Sequence, residues 1–87
     1  MFVVLVYDVK QERVGKVLKI CRKYLTHVQN SVFEGKITPA KLRILKDELK
    51  EVIDETYDSV IIYKFRIPAE EREILGVEPP SSEDIFF

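Results

Sequence analysis

The first residues able to do chemistry come at the end of the opening run, MFVVLVYDV: seven uncharged residues, then Asp8 with Tyr7 just before it. Aspartate suits strands poorly and is costly to bury alone. Either Asp8 ends the strand and caps the turn after it, or the fold carries a carboxylate to a chosen place. The second use has a definite chemistry. Two such carboxylates brought together by two copies of the chain must share a proton or a cation. Mg²⁺ takes one or two carboxylates and keeps its waters, so it satisfies both; Mn²⁺ would serve alike. An ion so held polarises a phosphoryl oxygen and lowers the pKa of a water, the two needs of phosphodiester hydrolysis. The residues that follow supply positive charge. Arg13 and the N–H groups of a helix's first turn come just after Asp8. Lys10, Lys16, Lys19, Arg22 and Lys23 would track a nucleic-acid backbone without reading its sequence.

Other candidates carry less. Phe33 could stack on a base, although a phenylalanine in a strand more often belongs to a core. Ser31 has no base and orienting partner nearby and reads as a turn residue rather than a nucleophile. His27 stands alone beside a strand and reads as surface. Cys21 is the one cysteine, so neither a disulfide nor a cysteine zinc site exists within one chain. No Gly-rich phosphate loop, metal-ligand cluster or triad spacing is present.

The elements that must position these residues follow from the apolar periodicity. Residues 1–7 form a strand whose two rows, Met1, Val3, Leu5, Tyr7 and Phe2, Val4, Val6, are both apolar, the mark of a strand covered on two faces. Asp8 continues the second row. Residues 11–25 form a helix with Val14, Val17, Leu18, Cys21, Tyr24 and Leu25 on one stripe. Gly15 within it costs about 1 kcal/mol relative to alanine, which suggests a close approach to the backbone there. Residues 26–37, THVQNSVFEGKI, alternate like strand and predict either a tight hairpin near Asn30–Ser31 or one strand bent by a bulge. Thr38-Pro39 opens a second helix running to about Glu55, with Leu42, Leu45, Leu49, Val52 and Ile53 inward. Residues 59–67 are the last long strand, and residues 73–77, EILGV, a short extra one. The order predicts a ferredoxin-like βαββαβ two-layer α/β sandwich over residues 1–77, with a tail at 78–87 able to pair with a partner subunit.

Two helices cover one face of such a sheet. Phe2, Val4, Val6, Val60 and Ile62 in water would form a patch that soluble monomers seldom tolerate. The expected cover is a second copy, sheet against sheet about a two-fold axis, with the two Asp8 side chains meeting at its end.

Bulk properties agree with one small domain of 87 residues. No apolar run reaches membrane-spanning length, and Met1 opens no secretion signal, so no membrane association and a cytoplasmic location are the expectations. The net charge of −1 hides an asymmetry: residues 1–46 hold ten Lys/Arg against three Asp/Glu, and residues 47–87 hold four against twelve. A polyanionic partner for the basic half is the reading that follows.

At YDV, Arg13, VQNSVFEG (28–35), PAKL, DSVIIY (58–63) and REILG (72–76) the chain resembles the small CRISPR-associated protein of the adaptation module, the dimeric partner of the spacer integrase. That resemblance implies a ferredoxin-like homodimer acting in spacer acquisition with the integrase. It also implies a metal-dependent nuclease on single-stranded RNA or duplex DNA. The family's metal-binding aspartate maps to Asp8, its neighbouring tyrosine to Tyr7, its helix-one arginine to Arg13, and its strand serine and phenylalanine to Ser31 and Phe33. The competing expectation is a non-catalytic dimer that binds duplex DNA and bridges integrase subunits, with Asp47, Glu48, Glu51, Asp54, Glu55 and Asp58 as an acidic dock. A small-molecule regulatory domain on the same fold is a third class, against which the basic helix argues.

Overall fold

Among the described residues, four strands and two helices are built in the order β1 (Phe2–Asp8), α1 (Gln11–Arg22), β2 (Thr26–Gln29), β3 (Val32–Lys36), α2 (Pro39–Val52) and β4 (Ser59–Phe65). The computed structural model describes residues 1–66 and 75–76. The predicted extra strand and tail lie outside the described residues. One antiparallel sheet runs β2-β3-β1-β4, with β1 in the interior between β3 and β4. This is the ferredoxin-like order that the alternation of strands and helices implied.

Segment 26–37 resolves as a hairpin, and it carries a bulge as well. Gln29 pairs with Val32 across Asn30–Ser31, and the register shifts between His27 and Gln29. Asn30 takes a positive φ of 38°, which asparagine tolerates better than most residues. The start of α2 also follows the sequence: the Thr38 hydroxyl accepts from the Lys41 N–H at 3.2 Å, and Pro39 opens the helix.

Both helices lie on one face. Val17, Cys21 and Leu25 from the first stripe and Leu42, Leu45 and Leu49 from the second pack on Val3, Leu5, Tyr7 and Phe33. The apolar spacings of the two helices are therefore their buried faces. Burial pushes the Cys21 thiol up to about 12, so it stays protonated and inert at neutral pH.

Two expectations are corrected. Val60 and Ile62 do not share the second row of β1. Antiparallel register sets Leu5 opposite Ile62 and Tyr7 opposite Val60, on the helix side. The far face instead gathers Phe2, Val4 and Val6 with Phe65, Tyr63 and Ile61. Both rows of β4 are apolar, and only pairing fixes which one turns to the helices. Phe65, Tyr63 and Ile61 remain 40%, 51% and 49% exposed. The second correction concerns Gly15: an added Cβ would meet nothing within 4 Å, so no close approach by another part of this chain explains this glycine.

Candidate active site at the end of the first strand

The site is assembled where β1 ends beside the hairpin turn. The Tyr7 N–H donates to the Ser31 carbonyl at 3.0 Å, which continues the β1–β3 ladder one step past Val6–Val32. That bond brings the turn against the strand end. Tyr7, Asp8, Asn30 and Ser31 then line one open cavity of ≈340 Å³, walled on the helix side by Val14 and Leu18.

Asp8 pairs with Ser59 of β4 and is exposed. Its position in the Phe2, Val4, Val6 row sets it toward the face away from the helices. The cap reading fails: Lys10, the residue before α1, sits at the N-cap with no side-chain cap bond, and its N–H donates to Asp58 Oδ1 at 2.9 Å. Among the described residues, no hydrogen bond or ion pair involves the Asp8 carboxylate.

Tyr7 is 5% exposed and belongs to the helix-side core while lining the cavity. Burial, and then nearby Cys21, raise its pKa against the opposing pull of Arg22. Its phenol is therefore protonated at neutral pH, a donor and not a base. Ser31 is half-buried in the cavity wall. Asn30 was visible in the sequence only as a turn former, and the fold adds it to the cavity.

The remaining candidates separate. Lys10, Lys16, Lys19 and Arg22 are exposed, the last three at i, i+3 and i+6 along α1. Lys23 is exposed too, but its ammonium is paired with Glu48, which also accepts from the Tyr24 hydroxyl. Those two bonds, Lys23 first, hold the Glu48 carboxyl below its usual range. Phe33 is fully buried, stacked on His27 at 4.6 Å between centroids, so a base cannot lie on it in this fold. The His27 Nε2 lies 2.6 Å from the Asn30 carbonyl, bracing the turn.

Arg13 turns inward rather than toward a phosphate. Its Nε and Nη2 donate to Asp58 Oδ2 and Oδ1 at 2.5 and 3.0 Å, and Nη1 lies 3.3 Å from Glu12. Asp58 Oδ2 also accepts the Asp54 N–H at 2.9 Å. With the Lys10 N–H, four donors saturate this one carboxylate. Its pKa lies far below the ordinary carboxylate range, chiefly through Arg13. The expected acidic dock shrinks accordingly. Asp58, Glu48 and Asp54 are engaged internally, the last by the Thr56 N–H and hydroxyl. Asp47, Glu51 and Glu55 remain exposed.

Residues 1–72 match the family described as CRISPR associated protein Cas2. The chain belongs to the Cas2 family. Two Cas2 relatives with the name CRISPR-associated endoribonuclease Cas2 are similar over their full length. The one from Dictyoglomus turgidum is 51% identical over 99% of this chain and all of its own. The one from Pyrococcus furiosus is 53% identical with the same coverage. Among solved structures, Streptococcus pyogenes Cas2 at pH 6.5 superposes with a TM-score of 0.72 at 38% identity, covering 87% of this chain and 100% of that one. A further Cas2 crystal structure gives 0.76 at 41% identity over 93% and 92%. The ferredoxin-like arrangement of this chain is thus that of the Cas2 fold. No helix among the described residues is long and apolar enough to cross a membrane.

Proposed function

We propose that this chain is a nucleic-acid-binding homodimer of the CRISPR adaptation module, working with its integrase, and a metal-dependent phosphodiesterase on single-stranded RNA or duplex DNA. The observation that carries this reading is Asp8, exposed at the rim of the cavity at the end of β1, with a carboxylate that has no internal partner among the described residues. The endoribonuclease name of close relatives points the same way.

Asp8 suits Mg²⁺ or Mn²⁺ as a hard, accessible oxygen donor. One chain, however, holds no group of three or more metal-ligating side chains among the described residues. The fit therefore calls for Asp8 from two chains. Bound there, the ion would polarise a phosphoryl oxygen and lower the pKa of a water. The protein's own residues do the rest: Tyr7 offers a protonated phenol in the cavity wall, Ser31 a hydroxyl, and Lys10, Lys16, Lys19 and Arg22 hold the phosphate backbone. Arg13 acts through Asp58, positioning the β1–α1 connection. Support for the dimer comes from the far face, where Ile61, Tyr63 and Phe65 stay half-exposed beside Phe2 and Val4, which are buried within one chain.

The Asp8→Ala protein should retain its fold and Tm and lose Mg²⁺- or Mn²⁺-dependent cleavage of RNA and DNA. A wild-type protein that cuts neither substrate with either metal overturns the enzymatic reading. A monomer at micromolar concentration by light scattering overturns the shared ion. The second reading, a non-catalytic dimer bridging integrase subunits on duplex DNA, is favoured by the one carboxylate residue, Asp8, that lines the cavity in each chain. Spacer insertion that survives Asp8→Ala would support that bridging role.

A further inference from the structure

Tyr57 stands in the loop between α2 and β4, two residues before Ser59, the strand partner of Asp8. A tyrosine on a protein surface usually lays its ring against apolar neighbours, yet this one is 76% exposed. Its backbone is held nonetheless. The Tyr57 N–H donates to the Asp54 carbonyl at 2.9 Å, and the Asp58 N–H to the same oxygen at 2.7 Å. Asp54 also binds Thr56 through its carboxylate, by the N–H at 3.0 Å and the hydroxyl at 2.6 Å. A loop so braced presents its aromatic ring outward at a fixed place.

Among the described residues the ring has one cationic companion. The Lys10 ammonium lies over it, 5.4 Å from the centroid, within cation–π range. Lys10 is two residues past Asp8, and its N–H is tied to Asp58 Oδ1, whose own residue follows Tyr57. The saturated Asp58 carboxylate therefore holds both halves of the pair in register, one from the β1–α1 connection and one from the α2–β4 loop. The result is a preorganised flat π surface with an adjoining positive charge, at the same end of the sheet as the candidate catalytic carboxylate.

We propose that Tyr57 and Lys10 form a stacking platform for an unpaired nucleobase, placing a single strand beside Asp8. The face left open on the ring takes the base, and the Lys10 ammonium takes the phosphate next to it. Stacking of this kind accepts any base, because every base has a π face. It is denied to a base inside a duplex, whose faces are already covered. Tyr57 is thus a specificity-determining residue that favours single-stranded over duplex substrate. The inference rests on the nucleic-acid reading above and adds to it a contact that the basic residues of α1 do not supply.

The test is fluorescence anisotropy of the full chain with a labelled single strand and its duplex, in EDTA so that cleavage plays no part. Tyr57→Ala should bind the single strand about 5- to 100-fold more weakly and the duplex unchanged, while Tyr57→Phe stays near wild type. The chain contains no tryptophan, so Tyr57→Trp adds a sole reporter, and its emission should be quenched by the single strand only. If Tyr57→Ala matches a wild-type protein that binds the single strand, the platform is rejected and the nucleic-acid reading stands. Equal weakening for single strand and duplex also rejects it. A wild-type protein that binds neither rejects the parent reading, and the platform with it.

Discussion

Asp8 and Asp58 stand at the same end of the sheet, one closing β1 and the other just before β4, and the fold treats them in opposite ways. Asp58 has a side chain 1% exposed and four donors on its two oxygens. Asp8 is exposed, and no hydrogen bond or ion pair engages its carboxylate among the described residues. A buried carboxylate is tolerable only when its lone pairs are taken, and once they are taken it has nothing left for a ligand. An exposed one needs no such compensation and keeps its coordination capacity. Strongly perturbed acidity therefore marks the structural aspartate here, and availability marks the candidate for function. Perturbed acidity alone would point to Asp58, whose lone pairs are already taken by four donors.

The sharpest way to break this comparison is to exchange the phenotypes. Asp8→Ala should abolish metal-dependent cleavage without moving Tm, measured by a nuclease assay beside thermal melting. Asp58→Ala should do the reverse first. It strands the Arg13 guanidinium and the Lys10 and Asp54 N–H groups, and should lower Tm by more than about 10 °C. The sign with pH follows from the same bonds. Asp58 is more acidic in the folded chain than in the unfolded one, so its contribution is complete above the ordinary aspartate value. It is lost as pH falls below about 4, where the unfolded chain takes up the proton first. Wild-type Tm should drop across that window more steeply than that of Asp58→Ala. Parallel curves would mean the pair contributes little.

A smaller effect sharpens the electrostatic side. Reversing Lys16, Lys19 and Arg22 to Glu leaves the Lys23–Glu48 pair intact and should weaken duplex binding. The slope of log affinity against log salt should flatten by about 3 if all three residues touch phosphate. An unchanged slope would move the nucleic-acid surface off α1.

Much of this was legible in the chain, and the limits are instructive. The stripes of both helices, the hairpin at Asn30–Ser31 and the row carrying Asp8 are local patterns, and each is where periodicity placed it. The parity of β4 was not legible. Val60 and Ile62 are as apolar as Ile61, Tyr63 and Phe65, so either set could face the helices until pairing with β1 decides. Arg13 and Asp58 lie 45 positions apart, and no local signal joins them. The acidic run at 47–58 likewise looked uniform, whereas three of its members are consumed by bonds to Arg13, Lys23, Tyr24 and Thr56. Tyr57 drew no notice because exposure is not written in a sequence.

The smallest expected effect tests a place where the sequence suggests a close approach to the backbone and the fold offers space. Gly15 lies mid-helix in α1, one turn before Lys19 on the basic ridge, and nothing lies within 4 Å of the position its Cβ would occupy. Two outcomes of Gly15→Ala separate the causes. If the glycine is there only by tolerance, the alanine restricts the unfolded chain and improves helix propensity, raising stability by about 0.5–1 kcal/mol in a urea titration with nucleic-acid affinity unchanged. If the glycine is there to let a phosphate backbone come close to α1, the same methyl group raises stability and lowers affinity together. Stability reports only on the chain and affinity only on the complex, so one substitution shows whether the bare helix face beside Lys16 and Lys19 is a contact surface.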